Sequence, residues 1–216
     1  MLSERRARSR EFFAGAAGRW DRTRDDLFGQ RGSLLGLLGL VDPGILVADL
    51  GCGTGAVTEF LAPVLDRLIA VDGAQEMLDA ARERLAPYPH VELRRGELER
   101  LPLEAGRIDA ATLILVLHHL PDPAKVISEV ARVLRPGGRI LIVDLLPHER
   151  EEYRQEMGHV WLGFSEERIR RHLQKTGFIE PRFRPLPPEP GTQGPLLFFA
   201  GASRGAGTEK QKRTAN

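Results

Sequence analysis

One stretch, Val47-Ala48-Asp49-Leu50-Gly51-Cys52-Gly53-Thr54-Gly55-Ala56, limits what this chain can fold into more than any other. The apolar run ILVADL (45–50) has the length and composition of a buried strand. Gly51, Gly53 and Gly55 follow at once, and residues 55–63 read as a helix with Pro63 near its end. Glycine lets a backbone turn sharply and lets a ligand approach the main chain. A strand, a glycine loop and a helix in that order form the unit of open parallel sheets, whose ligands sit at the carboxyl ends of the strands.

The chain keeps that alternation. RLIAVD (67–72), VELRR (91–95), DAATLILVL (109–117) and RILIVDLL (139–146) read as further strands. The fourth is nearly all apolar, as expected of a strand covered on both faces. Between them, residues 74–86 place Met77, Leu78, Ala81 and Leu85 on one helical face. Asp122-Pro123 opens a helix whose buried stripe is Val126, Ile127, Val130, Val133 and Leu134, and Pro136-Gly137-Gly138 is expected to stop it. Residues 149–158 read as helical, and Ser165-Glu166-Glu167 opens another helix that Gly177 closes. FIEPRFRPL (178–186) and PLLFFAGAS (195–203) read as the last strands. The expected fold is α/β, Rossmann-like and doubly wound, with a mostly parallel seven-stranded sheet and helices on both faces. Residues 41–203 form that domain. Residues 1–40 are expected to be a helical cap, with Phe12, Phe13, Ala16 and Ala17 near-periodic and Leu34, Leu35, Leu37, Leu38 and Leu40 as a buried stripe. Residues 204–216 are expected to be a disordered tail.

Composition narrows the functional classes. A formal net charge of +1 gives no electrostatic reason to expect nucleic acid or an anionic membrane. Arg5, Arg6, Arg8 and Arg10 read as the solvated face of a first helix. Cys52 is the single cysteine, so neither an intramolecular disulfide nor a Cys-rich metal site can form. That usage fits a reducing, cytoplasmic setting. No apolar run reaches the ~18 residues of a spanning helix, and MLSERRARSREFF lacks the apolar core of a secretory signal.

The glycine loop alone leaves two ligand classes open, because Gly51-x-Gly53-x-x-Ala56 also satisfies the dinucleotide fingerprint. Asp72 ends the next strand where an acidic residue can hold ribose hydroxyls. Asp49 discriminates between the two. A pyrophosphate seeks a bare helix N-terminus, and a carboxylate two residues before the first glycine repels it. The sulfonium and ammonium of S-adenosylmethionine (SAM) make the same carboxylate favourable.

At these residues the chain resembles class I SAM-dependent methyltransferases. VADLGCGTG resembles their first motif, AVDGAQEML (70–78) their acidic second motif, and RRGELERLPL (94–103) the segment that usually reads G-D-x-x-x-L-P. Residues 109–144, with HHLPDP and LRPGGRILIVD, resemble the fourth to sixth motifs. The resemblance implies SAM as cofactor. Asp49, Gly51, Cys52 and Gly53 would surround its methionine part. Asp72 would hold the ribose, with Gly73 allowing close approach, and Met77 would pack on the adenine. Glu97 stands where the family usually has Asp and would meet the adenine amino group. Leu98 would offer its backbone N–H, and Leu115 and Val116 would line the pocket. The opening SREFFAGAAGRWDRTRDDLFG and residues 144–178 resemble methyltransferase domains fused to ArsR-type regulators, and no DNA-binding module is expected ahead of the domain.

Substrate is read from residues outside those motifs. Trp20, His118, His119, His148, Tyr153, His159 and Trp161 could face the methyl group of a small-molecule acceptor. His159 and His148 are the candidate general bases, because an unperturbed histidine titrates near pH ~6.5. Each also has a structural reading, as a satisfied core histidine or a packing tryptophan. His118, His148 and His159 are scattered along the sequence, so no metal site is expected. Arsenite methyltransferases use several cysteines, the amino-terminal signature of quinone methyltransferases is not evident, and LVLHHL replaces the Asn-Pro-Pro-Tyr type motif of nucleic-acid methyltransferases. Two rival functions remain: a non-catalytic sensor of SAM or S-adenosylhomocysteine, and an NAD-dependent oxidoreductase, which Asp49 disfavours.

Overall fold

The computed structural model describes residues 1, 4–8, 12, 26–27 and 31–206. It divides into two compact units, Met1–Asp42 and Pro43–Asn216. In the first unit residues 4–8 are helical and α1 spans Arg31–Leu38. The expected leucine stripe is not buried there: Leu34, Leu37 and Leu40 are exposed, while Leu35 and Leu38 are half-buried. At about 100° per residue Leu34, Leu35, Leu37 and Leu38 share one side of α1, and Leu40 falls beyond its end, so the spacing is amphipathic but the stripe is not covered among the described residues. Phe13, Ala16, Ala17 and Trp20 lie outside the described residues, as does 207–216 of the expected tail.

The second unit holds β1 (Leu46–Leu50), α2 (Ala56–Leu61), β2 (Arg67–Asp72), α3 (Gln75–Arg84), β3 (Val91–Arg95), β4 (Ile108–Ile114) and α4 (Pro123–Val133). After these come β5 (Leu134–Leu145), α5 (Glu152–Glu156), α6 (Glu166–Lys175), β6 (Phe178–Pro185) and β7 (Leu197–Arg204). All strands join one seven-stranded sheet of order β3-β2-β1-β4-β5-β7-β6. The first five pair in parallel, and β7 runs antiparallel to both β5 and β6. This is the expected mostly parallel, doubly wound sheet. Its order reverses between β1 and β4, the position where open α/β sheets take ligands.

The local causes are visible. The middle of β2, Leu68 to Val71, is buried, as a strand covered on both faces must be. The Asp122 carboxylate accepts from the Lys125 N–H at 3.1 Å and Pro123 begins α4, so cap and fixed φ start the helix together. Val126, Ile127, Val130 and Val133 then bury completely, and each such side chain contributes roughly 1.5–3 kcal/mol relative to exposure. Ser165 caps α6 in the same way and buries Ile169 and Leu173. Pro136-Gly137-Gly138 does not stop α4. That helix ends at Val133, Leu134 already pairs with Ile108, and 135–138 form an irregularity before pairing resumes at Ala110 and Arg139. The proline and glycines suit a bulge as well as a helix stop. Arg204 is not part of a tail: it pairs with Phe178 and its guanidinium donates to the Leu134 carbonyl.

Candidate active site

The parallel strands deliver their last residues to one edge of the sheet. The loop after β1 turns with φ of 72° at Gly51 and 53° at Gly53. A Cβ on Gly51 would stand 2.7 Å from Val116 Cγ2, so only glycine lets this loop lie against the segment after β4. Val116 thus supports the loop from below. Leu115 beside it is 44% exposed and has φ of 57°, a strained conformation for a bulky residue, held by its N–H on the Val143 carbonyl at 2.8 Å.

Asp49 sits beneath the loop rather than on its open side. Only 2% exposed, it accepts from the Thr58 hydroxyl at 2.6 Å and the Thr112 hydroxyl at 2.8 Å. Burial raises its carboxyl above the usual carboxylate range, and the two hydroxyls pull it back down. These bonds join β1 to α2 and β4 through Asp49. Cys52 is likewise inert. Burial, with Asp49 and Asp72 nearby, pushes its thiol up to about 12, leaving no thiolate at neutral pH.

Asp72 is half-buried at the end of β2. One oxygen accepts from the Gly53 N–H at 2.8 Å and the other from the Ala74 N–H at 2.9 Å, fixing the carboxylate between loop and helix start. Gly73 follows, and a Cβ there would lie 3.6 Å from both carboxylate oxygens of Glu97. Asp72, Gly73 and Glu97 therefore come together, as the sequence implied. Met77, on the first turns of α3, is 45% exposed. Leu98 is buried in a short helical turn, Leu98–Arg100.

The histidines gather after β4 and β5. His118 is buried, and its Nδ1 lies 2.8 Å from the carboxylate of Asp144, which is itself fully buried at the end of β5. Asp144 also accepts from the Leu117 N–H at 2.9 Å and the Leu145 N–H at 2.7 Å. The His118 carbonyl accepts from the N–H groups of Val160 and Trp161, which draws residues 158–161 over it. His118 and His159 ring centroids are then 4.3 Å apart, and His118 and His119 are 4.1 Å apart. Tyr153 stands 5.2 Å from His159 and 5.6 Å from His148. His118, His119 and His159 each bring one nitrogen within 4.8 Å of the others, so residues scattered in sequence form a cluster.

Several expected roles change on this geometry. Desolvation, and then the neighbouring histidines, lower His159 from its ordinary value to about 4. It is a neutral imidazole at pH 7 but a weak base, not the one an unperturbed value suggested. His148 is also lowered by burial, and its Nδ1 accepts from the Arg150 N–H at 3.2 Å. Its lone pair is thus taken, which removes the basis for a general-base role. Trp161 donates its indole N–H to the Leu120 carbonyl at 2.8 Å and packs against the core, with the Arg168 guanidinium over its ring at 4.8 Å. Tyr153 is half-buried, its hydroxyl accepting from Arg150 at 2.7 Å. Sequence reading missed Asp144, Thr58 and Thr112. The available signal was a polar residue inside an otherwise apolar element, which must find a buried partner.

The glycine loop, the carboxylate that ends β2 and the switch point lie together in a doubly wound sheet. Within it, residues 48–142 match the family model of a methyltransferase domain. An uncharacterized methyltransferase of Mycobacterium bovis is 41% identical over 114 residues, covering 53% of this chain and 45% of that protein. A demethylmenaquinone methyltransferase of Desulfitobacterium hafniense is 30% identical over 138 residues, 56% of this chain and 54% of that protein. The chain thus spans about half the length of these relatives. Among solved structures, phosphoethanolamine N-methyltransferase 2 of Haemonchus contortus in complex with SAM superposes with a TM-score of 0.69 at 18% identity, over 83% of this chain and 53% of that one.

Proposed function

We propose that the chain is a SAM-dependent methyltransferase acting on a small-molecule acceptor. The observation that carries the reading is the joining of Asp72, Gly73 and Glu97 beside the glycine loop at the switch point. Two carboxylates flanking a residue without a side chain suit a nucleoside: Asp72 for the ribose hydroxyls and Glu97 for the adenine amino group. Met77 covers the adenine face, and Leu98 supplies a backbone N–H. Bound SAM would supply an electrophilic methyl group on its sulfonium.

The protein's own part is to bind, orient and exclude water. Gly51 and Gly53 shape the loop, and Leu115 and Val116 form the wall at the β4 end. His118 and Tyr153 form the acceptor side, backed by Trp161, with His159 presenting a neutral imidazole to the acceptor. The ArsR-fusion resemblance bears on the acceptor segment, 144–178, and not on the cofactor half. The test is turnover: purified protein incubated with SAM and a panel of thiol, hydroxyl, amine and carbon acceptors, with S-adenosylhomocysteine release measured. Release that depends on one acceptor supports the enzyme. Cofactor binding without release from any acceptor class would favour the sensor.

A further inference from the structure

The histidine cluster has a construction that methyl transfer does not require. His118 lends its Nδ1 to Asp144, and a carboxylate only accepts. In the neutral ring this contact puts the proton on Nδ1 and the lone pair on Nε2. His119 behaves alike at longer range, with its Nδ1 3.4 Å from the Gly158 carbonyl. His159 has Nδ1 buried with no hydrogen-bond partner among the described residues, and His148 Nε2 is buried in the same condition. An orphaned buried nitrogen carries a real cost, and here two occur beside one cluster.

We propose that His118, His119 and His159 form a binding site for one late first-row divalent cation of the zinc type. Three imidazoles are a nitrogen donor set that suits Zn²⁺, Ni²⁺ or Cu²⁺ and not the oxygen-seeking Mg²⁺ or Ca²⁺. Their nitrogens lie within 4.8 Å of one another; tetrahedral zinc at ~2.0–2.1 Å from each donor holds them ~3.3 Å apart. Reaching that spacing requires a side-chain adjustment, and His119 is the exposed member of the three. Asp144 completes the design. A ligand histidine that donates its other N–H to a carboxylate has its ring fixed and its basicity raised, and Asp144 is fixed in turn by two backbone N–H groups. Three protein ligands leave a fourth position open. The cluster starts two residues after Val116, which packs on Gly51, so the metal would belong to the acceptor side of the edge. The site stands on these residues alone and does not depend on the cofactor reading.

The test uses the full chain without an affinity tag, stripped with chelator and titrated with Co²⁺ as spectroscopic probe, then with Zn²⁺ in competition. The expected result is one Co²⁺ per chain with visible ligand-field bands of a four-coordinate nitrogen site, displaced by one Zn²⁺. His119→Asn, at an exposed position, should lower affinity at least tenfold while keeping the thermal midpoint. Asp144→Asn should lower it by about 10–100-fold through His118. His172→Asn, outside the cluster, should bind as the parent does. Absence of stoichiometric binding, or binding unchanged in folded His119→Asn and His159→Asn, overturns the proposal. SAM calorimetry on the same samples separates the two readings: SAM binding without metal sinks this site alone, and metal without SAM sinks only the methyltransferase.

Discussion

Asp72 and Asp144 end buried strands at the same edge of one sheet, and the protein uses them in opposite ways. Asp72 spends one oxygen on each of two backbone N–H groups and stays half-buried beside Gly73. Asp144 is fully buried and holds two N–H groups and an imidazole. The first carboxylate ties a loop to a helix start and stays accessible, as the proposed nucleoside site requires, and the second organises other residues. The difference follows from what lies above each strand end. Beside Asp72 lie only the glycine loop and the start of α3, whereas at the β5 side the N–H groups of Val160 and Trp161 bond to the His118 carbonyl and hold residues 158–161 against it.

That contrast can be broken by substitution. Asp144→Ala strands three buried donors and should cost about 3–5 kcal/mol in denaturant unfolding; a cost under 1 kcal/mol would mean that water replaces the carboxylate. Gly51→Ala forces a Cβ onto Val116 at positive φ and should cost about 2–4 kcal/mol, readable as a lower thermal midpoint. Glu97→Gln keeps the shape and loses a charge. It should weaken cofactor binding about fivefold, the difference between a charged and a neutral hydrogen bond, with stability unchanged.

The smallest effect is a pH slope. His159 is lowered to about 4 in the folded state, while an unfolded histidine titrates near pH ~6.5. Between those values the unfolded chain binds more protons, so His159 makes stability fall as pH drops from 6.5 toward 4. His119, His148 and His172 are lowered too and add to the same slope. His159→Asn should flatten the profile in that window, measured by denaturant midpoint against pH. An unchanged profile would show that the imidazole is not desolvated.

The two sides also differ in how far they were legible. Gly51, Gly53 and Asp72 are announced by spacing and residue type, and Glu97 by the resemblance to class I methyltransferases. Even there, spacing did not show that Asp49 is held by Thr58 and Thr112, because it cannot tell a carboxylate on a loop's open face from one with buried partners. The histidine side is illegible for a topological reason. His118 and Asp144 are 26 positions apart, and His119 and Gly158 are 39 apart. Only the parallel pairing of β4 with β5 brings their ends to one place. The leucines of α1 and the Pro-Gly-Gly turn misled for a local reason, since each pattern suits two structures.

The most direct measurement is calorimetry of SAM, S-adenosylhomocysteine and NAD on the parent chain and on Asp72→Ala. The nucleoside site assigned to the β2 side predicts tight binding of the two SAM-type ligands, little of NAD, and a loss of roughly 100-fold or more in the mutant, the scale of two charge-assisted hydrogen bonds. Preference for NAD, or SAM binding that survives Asp72→Ala unchanged, would contradict that assignment.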